Sequence, residues 1–393
     1  MSKKCVVVGV TGGIAVYKAL DIISKLRKAD IDVRVIMTKS ATEFVTPLSF
    51  QAMSQNMVIT DMFSEPKAWE IQHISTAQRA DLMLIAPATA NIIGKVANGI
   101  ADDMLSTTIM ATKSKVVFAP AMNTNMYENR IVQNNIEKLK DYGYEFIAPA
   151  SGRLACGDIG KGKLADTEEI VEAVLSKLYE IKDLVGKNVI VTAGPTRAEI
   201  DPVRFITNKS TGKMGYEIAK EARDRGANVT LISGADAITR PVDVEFIKID
   251  TNEQMYNAII ERFEEADIVI KAAAVADYKP KDYSNVKIKK QEGELLILLE
   301  RDRDILKTLG DMKTKQILVG FAAESNDLIE NATRKLNIKN LDYIVANDIM
   351  SSVTGFGSDE NKVTILSKDN MIDLSQMSKR EVAKNIFDII KGR

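Results

Sequence analysis

One histidine, His73, and two cysteines, Cys5 and Cys156, supply all the imidazole and thiol chemistry open to this 393-residue chain. So few such side chains exclude a disulfide framework, zinc fingers, cysteine-rich iron–sulfur sites and histidine-based facial triads. His73, in Gln72-His73-Ile74, can act as a base near neutral pH or simply open a helix. Cys156 lies in the Gly-rich polar stretch Ser151-Gly152-Arg153-Leu154-Ala155-Cys156-Gly157-Asp158-Ile159-Gly160-Lys161-Gly162. There it is either a proton donor on a mobile lid or an inert loop thiol. Cys5, inside an apolar run, reads as core. Asn123, in Pro120-Ala121-Met122-Asn123-Thr124-Asn125-Met126-Tyr127, can hold an anion through its amide or close an Asx turn.

Other loops carry phosphate chemistry. Gly9, Gly12 and Gly13 space as G-x-x-G-G between a strand and a helix start, where small residues let backbone N–H groups reach a phosphate. The dinucleotide pattern G-x-G-x-x-G is absent, which favours a mononucleotide such as FMN over NAD. Gly157–Lys163 spells G-x-x-x-x-G-K, but Leu164 stands where a P-loop needs Ser or Thr, and no buried strand precedes it. In the second half, Ser210, Thr211 and Gly212 precede a helix read as opening at Tyr216, a natural triphosphate cradle or an ordinary N-cap. Ala272-Ala273-Ala274-Val275-Ala276-Asp277-Tyr278 follows a strand: alanines admit a flat ring, and Asp277 can hold magnesium. Lys279, Lys281, Lys287, Lys289 and Lys290 are a solvated strand face or a source of charge for a reacting phosphate. The run lacks the aromatic interleaving of an RNA-binding patch.

These residues need a scaffold, and the hydropathy pattern describes one. Lys4–Val10, Asp32–Met37, Leu82–Ala86 and Val116–Ala119 read as buried parallel strands, each followed by a turn and a helical stretch. The first helix carries Val16, Ala19, Leu20, Ile23 and Leu26 on one face. Glu168–Ile181 reads as a closing helix, after which the pattern restarts with Asn188–Gly194, Asn228–Ser233, Ala266–Ile270 and Gln316–Gly320. The expected fold is α/β, two tandem doubly wound Rossmann-like domains over 1–182 and 183–393. The net charge of −1 argues against a dedicated nucleic-acid binder. No apolar run reaches the roughly 18 residues of a membrane span. With two cysteines and no secretory signal, a cytoplasmic location is expected.

The Gln72-His73-Ile74 box, the PAMNxxM box and the SGxLACGDxGxGxLA stretch resemble the flavin-dependent cysteine decarboxylases, specifically the phosphopantothenoylcysteine decarboxylases. Tyr127 departs from the tryptophan usual in that family but keeps a large aromatic face. The resemblance implies that FMN oxidises the substrate's cysteine thiol, that decarboxylation follows, and that reduced flavin returns a hydride. It implies His73 as base, Asn123 on the substrate carboxylate and Cys156 as proton donor. It implies flavin contacts from Gly13, Ile14, Thr38, Lys39, Ser40, Ala88, Thr89, Ala90, Asn91 and Ala121, at a subunit interface within trimers.

Over most of 188–350, TAGPTRAEIDPVRFITNKSTGKMG, AAAVADY, KIKK, GFAAE and NLDYIVAND resemble the phosphopantothenate–cysteine ligases. That family activates the carboxylate of 4′-phosphopantothenate as an acyl-cytidylate, and cysteine's amine then displaces CMP. The resemblance implies Asn208 on the acyl-cytidylate carbonyl and Lys287 in the second half-reaction. It implies Ser210, Gly212, Ala273, Asp277, Lys287, Arg303, Asp304, Ile305, Leu306, Phe321, Lys335 and Lys339 around the nucleotide, with Asp277 toward Mg2+. Asp302-Arg303-Asp304-Ile305 stands where that family commonly has Asn-Pro-Asp-Ile, which weakens the contacts implied for that loop. Together the two resemblances imply a bifunctional enzyme of coenzyme A biosynthesis acting on 4′-phosphopantothenate, cysteine and CTP, assembled as a trimer-based dodecamer with ligase dimers. A non-catalytic flavoprotein regulator and an NAD(P)-dependent oxidoreductase are the rival readings. The joint presence of His73, Asn123 and Cys156 speaks against the first, and the missing G-x-G-x-x-G against the second.

Overall fold

The computed structural model describes residues 3–63, 71–154, 157–235, 237–290, 294–324, 327–348 and 358–391. Cys156 lies outside them. The chain forms two compact units, Met1–Leu178 and Tyr179–Arg393.

The first unit holds six parallel strands: β1 (Cys5–Val10), β2 (Asp32–Met37), β3 (Val58–Ile59), β4 (Leu82–Ala88), β5 (Lys115–Pro120) and β6 (Glu145–Phe146). Their spatial order is β3-β2-β1-β4-β5-β6. The order reverses between β1 and β4, and in doubly wound sheets ligands bind beyond the strand C-termini at such a reversal. Every residue of β1 and of β4 is buried, so both strands read as unbroken apolar runs rather than alternating ones. A hairpin, β7 (Ala150–Arg153) and β8 (Ile159–Lys163), follows the sheet. It contains Gly157–Lys163, so that stretch does not join a strand to a helix and is no P-loop.

Nine helices of this unit fall among the described residues: α1 (Val16–Lys28), α2 (Lys39–Thr42), α3 (Pro47–Ser54), α4 (Gln72–Arg79), α5 (Ala90–Ala97), α6 (Met104–Ala111), α7 (Thr124–Tyr127), α8 (Arg130–Asp141) and α9 (Thr167–Leu178). On α1 the buried stripe is Val16, Ala19, Ile22, Ile23 and Leu26, with Ile22 rather than Leu20 facing the sheet. The closing helix ends at Leu178, three residues earlier than its pattern implies.

The second unit contains β9 (Asn188–Ala193), β10 (Arg197–Glu199), β11 (Phe205–Thr207), β12 (Asn228–Ser233), β13 (Glu245–Lys248), β14 (Ile268–Lys271), β15 (Tyr278–Pro280), β16 (Leu299–Arg301), β17 (Ile317–Glu324), β18 (Tyr343–Asp348), β19 (Glu360–Asn361), β20 (Val363–Ser367), β21 (Met371–Asp373) and β22 (Met377–Ser378). Eight of them form a sheet ordered β13-β12-β9-β14-β17-β18-β20-β21, parallel up to β18 and antiparallel beyond. The order reverses between β9 and β14, repeating the first unit. The helices are α10 (Lys213–Asp224), α11 (Asn252–Phe263), α12 (Ile305–Met312), α13 (Leu328–Ile338) and α14 (Lys379–Ile390).

Helix α10 begins at Lys213, three residues before the expected start. Gly212, at φ 87°, turns the chain into it and accepts the Tyr216 amide. Arg225 is fully buried, and its guanidinium is paired with Glu221 at 2.7 Å, with Asp183 and with Asp388, tying α10 to α14. Among the described residues no helix is long and apolar enough to cross a membrane.

Candidate active sites

In the first unit the loops after β1, β2, β4 and β5 converge. The Thr11 hydroxyl is buried; it donates to the Pro87 carbonyl at 2.6 Å and accepts the Thr89 amide at 3.1 Å, clamping the β1 loop to the β4 loop. A Cβ on Gly12 would sit 2.4 Å from Ser40 Cβ and 2.7 Å from the Ser40 backbone, so only glycine lets Thr38–Ser40 close over this turn. Helix α1 then starts at Val16 with no side-chain cap; Val16 N donates to Gly13 O and Lys18 N to Ala15 O, both at 3.0 Å, and the helix dipole gives the cleft a positive end.

The β5 loop meets the hairpin through glycine as well. Met122 N donates to Gly162 O at 2.9 Å, and a Cβ on Gly162 would lie 2.3 Å from Met122 O. The Asx-turn reading of Asn123 is the one observed. Its Oδ1 accepts the Asn125 amide at 2.8 Å, an Asx turn capping α7, and this aims Nδ2 at a carboxylate, Asp158 Oδ2, at 2.9 Å.

These loops enclose a cleft of about 680 Å³. Gly13, Ile14, Thr89, Ala121 and Asn123 line it, as do Lys18, Arg153 and Lys163, which the sequence reading did not single out. No carboxylate is among its lining, considering the described residues. The size suits a cofactor, and the mixture of glycine, apolar wall and cations suits a flat ring carrying a phosphate. Thr38, Lys39, Ser40, Ala88, Ala90 and Asn91 support the loops without lining the cleft. His73, second residue of α4, is not at the cleft either. Cys5 is core: burial, then the nearby Asp32 charge, pushes its thiol up to about 11.

In the second unit the loops after β9 and β14 are sewn together. Ala274 N donates to Gly194 O at 3.0 Å, Ala273 N to Thr192 Oγ1 at 3.2 Å and Ala276 N to Thr196 Oγ1 at 3.1 Å. Asn208 Nδ2 donates to Ala274 O at 3.1 Å, fixing the amide beside the alanine loop. Gly215 lets α10 rest on β9, since a Cβ there would meet Ala193 Cβ at 2.6 Å.

The resulting cavity, about 550 Å³, is lined by Asn208, Ser210, Gly212, Ala273, Asp277, Leu306, Phe321, Lys335 and Lys339. Among the described residues, six lysines reach it (Lys209, Lys213, Lys271, Lys335, Lys339 and Lys379) and one carboxylate, that of Asp277. Asp304 caps α12 through the Lys307 amide and pairs with Lys339 at 2.8 Å. Burial alone would raise the Asp304 pKa, but those two hydrogen bonds hold it below the usual range. Lys271 ends β14 on the face shared with Val269 and Ala273, where the core is apolar. Burial, then the Lys339 charge, depresses its ammonium to about 8.

Four expected nucleotide contacts lie outside the cavity lining, Asp304 at the cap of α12 among them. Arg303 stacks its guanidinium 4.0 Å over the Tyr256 ring, Ile305 is buried in the core, and Lys287 is exposed outside the cavity. The Lys287 segment is anchored at its neighbour: Ile288 O accepts Arg204 Nη2 at 2.6 Å and Ile288 N donates to Asp201 Oδ2 at 3.2 Å. Lys271, Asn361 and Lys379 were not found from the sequence. The one signal for Lys271 is a lysine interrupting a buried strand face.

A family model described as "Flavoprotein" matches residues 1–179, and one described as "DNA/pantothenate metabolism flavoprotein C-terminal domain" matches residues 184–392. Over 394 aligned residues the chain is 50% identical to the "Coenzyme A biosynthesis bifunctional protein CoaBC" of Bacillus subtilis, covering 99% of this chain and 97% of that one. The chain belongs to the bifunctional coenzyme A biosynthesis protein family. The CoaBC protein of Haemophilus influenzae is 43% identical, with 100% of this chain and 98% of that one covered. A solved PPC decarboxylase mutant complexed with pantothenoylaminoethenethiol is 30% identical over 44% of this chain and 97% of its own, with a TM-score of 0.41.

Proposed function

We propose that the protein makes 4′-phosphopantetheine in two stages, with the ligase reaction in residues 183–393 and the decarboxylase reaction in 1–182. The observation that carries the ligase reading is the charge of the second cavity, six lysines and one carboxylate among the described residues, which suits a nucleoside triphosphate meeting a phosphorylated acid. The substrate carboxylate attacks the α-phosphorus of CTP and pyrophosphate leaves. Cysteine's amine then attacks the acyl carbon, a C–N bond replaces the C–O bond, and CMP departs. Asn208, aligned by the Ala274 carbonyl, holds the acyl oxygen, and Lys287 enters from its tethered segment in the second step.

Among the described residues no group of three or more His, Cys, Asp or Glu could hold a metal. One carboxylate plus the nucleotide's own phosphates is a normal Mg2+ set, and Asp277 is that carboxylate.

In the first unit the glycine-lined cleft fits FMN, which Gly13, Ile14, Thr89 and Ala121 would hold, with Thr38–Ser40 packed against the Gly12 turn. Bound FMN supplies reversible two-electron oxidation of the substrate thiol, which labilises the carboxylate. Asn123 binds that carboxylate by exchanging it for Asp158. Cys156 returns the proton, and His73 serves the cleft of a neighbouring copy within a trimer. Ile14 and Tyr17 at the cleft are 63% and 58% exposed, which favours such a covered mouth. The enzyme works in the cytoplasm as a trimer-based dodecamer with ligase dimers.

Incubation of the purified protein with 4′-phosphopantothenate, cysteine, Mg2+ and either CTP or ATP, read by mass spectrometry, tests this function. Formation of 4′-phosphopantetheine with CTP is the expected result, and absence of the amide product with both nucleotides refutes it. Flavin absorbance near ~450 nm is expected of the same preparation.

A further inference from the structure

Strand β19, through Asn361, and the start of α14, through Lys379, form one wall of the second cavity. On that wall Asn361 is only 5% exposed. Its Nδ2 makes a long contact of 3.9 Å to Met214 Sδ, while its Oδ1 is buried and has no donor from the protein among the described residues. Two ammonium groups flank it. Lys213 is paired with Asp359 at 2.6 Å, and Lys379, 8% exposed, donates to the Ser358 carbonyl. A buried amide oxygen without a donor works against folding, and a leucine of similar shape would avoid that penalty. Its presence in a reactant cavity calls for a donor that arrives with a ligand.

We infer that Asn361 is a substrate-recognition residue of the ligase cavity, its carbonyl oxygen accepting a hydrogen bond from a hydroxyl or amide N–H of a bound anionic reactant. This rests on the ligase reading of the cavity. Phosphates offer only acceptors to it, so the partner is a ribose hydroxyl of the nucleotide or the hydroxyl or amide of the pantoyl chain. The flanking lysines match either reactant, since both are anionic.

The test uses the full chain as Asn361→Leu, with Asn361→Ala as a second variant. Thermal melting, calorimetric CTP binding and the KM for 4′-phosphopantothenate are measured beside wild type. Loss of one neutral hydrogen bond predicts about a fivefold to tenfold weakening toward one reactant. The Leu variant's melting temperature is expected to be unchanged or higher. A weaker CTP affinity that is matched in wild type by 2′,3′-dideoxy-CTP assigns the donor to the ribose. A raised KM for 4′-phosphopantothenate with unchanged CTP binding assigns it to the pantoyl chain. Unchanged binding of both reactants by both variants overturns the inference, as does a fall in melting temperature in both with no selective loss. Absence of ligase turnover in wild type would instead count against the proposed function, while the CTP titration would still report on Asn361.

Discussion

Replacing Lys271 by methionine should stabilise the second unit while crippling its reaction. Holding a lysine at about 8 rather than 10.5 costs the folded state at most about 3 kcal/mol at pH 7. The side chain lines the cavity from an otherwise apolar face of β14; the Asp304 and Asp277 charges offset part of the cost, and among the described residues no hydrogen bond or ion pair to Lys271 adds to them. Methionine keeps the length, carries no charge and adapts to irregular space. For a domain of this size that gain raises the melting temperature by roughly 6–12 °C. The sign with pH follows from the direction of the shift. The folded lysine is penalised while pH lies below about 8, and the penalty fades as pH climbs from there toward 10.5, where the unfolded lysine also loses its proton. Differential scanning calorimetry of wild type and Lys271→Met at pH 7 and near pH 10 reads the effect. A large upward shift at pH 7 that shrinks near pH 10, with ligase activity reduced, is expected. An equal or lower melting temperature at pH 7 would refute the reasoning, because it would mean the ammonium is fully compensated where it stands.

Thr11→Val leaves the buried Pro87 carbonyl and Thr89 amide without their shared hydroxyl and should destabilise the first unit by about 1–3 kcal/mol, measured by urea titration with flavin absorbance as the probe. Asp103 caps α6 through the Ser106 amide and pairs with Lys95 at 2.8 Å; burial opposes its charge, but these contacts win and keep its pKa low. Its contribution is therefore present above the ordinary carboxylate value and lost as pH falls through the depressed one. Asp103→Ala should cost about 1 kcal/mol at pH 7, and the difference from wild type should vanish in strong acid. Cys5, buried with its thiol pushed up to about 11, should remain unalkylated by iodoacetamide at pH 8 in native protein, as peptide mass mapping would report.

Much of the architecture is written in local pattern. The unbroken apolar runs of β1 and β4 are what a strand buried on both faces must look like, and the glycine-bearing turn after β1 marks where that strand yields to a helix. The strands β2 and β12 occur at the bounds their patterns imply, because polar turns end them sharply. Part of each cleft's lining is likewise legible, since a loop motif such as that around Asn123 or Asn208 travels with its neighbours in sequence. Helix α10 was harder to bound. Its start depends on Gly212 taking a left-handed turn, and small residues tolerate several conformations equally until packing selects one.

Tertiary structure alone decided which side chains face the cavities. Arg303 and Ile305 lie within three residues of Leu306, yet one stacks on Tyr256, one enters the core and only Leu306 of the three lines the cavity, because neighbouring residues where a helix begins point in different directions. Lys271, Asn361 and Lys379 come from three distant segments, and the cavity they share exists only once β14, β19 and α14 are in place. Residue types and their short-range spacing thus determined the two α/β units and the chemistry available to each. The charge balance of the second cavity, the depressed Lys271 and the donorless Asn361 were decided by burial, which belongs to the folded chain and not to any stretch of it.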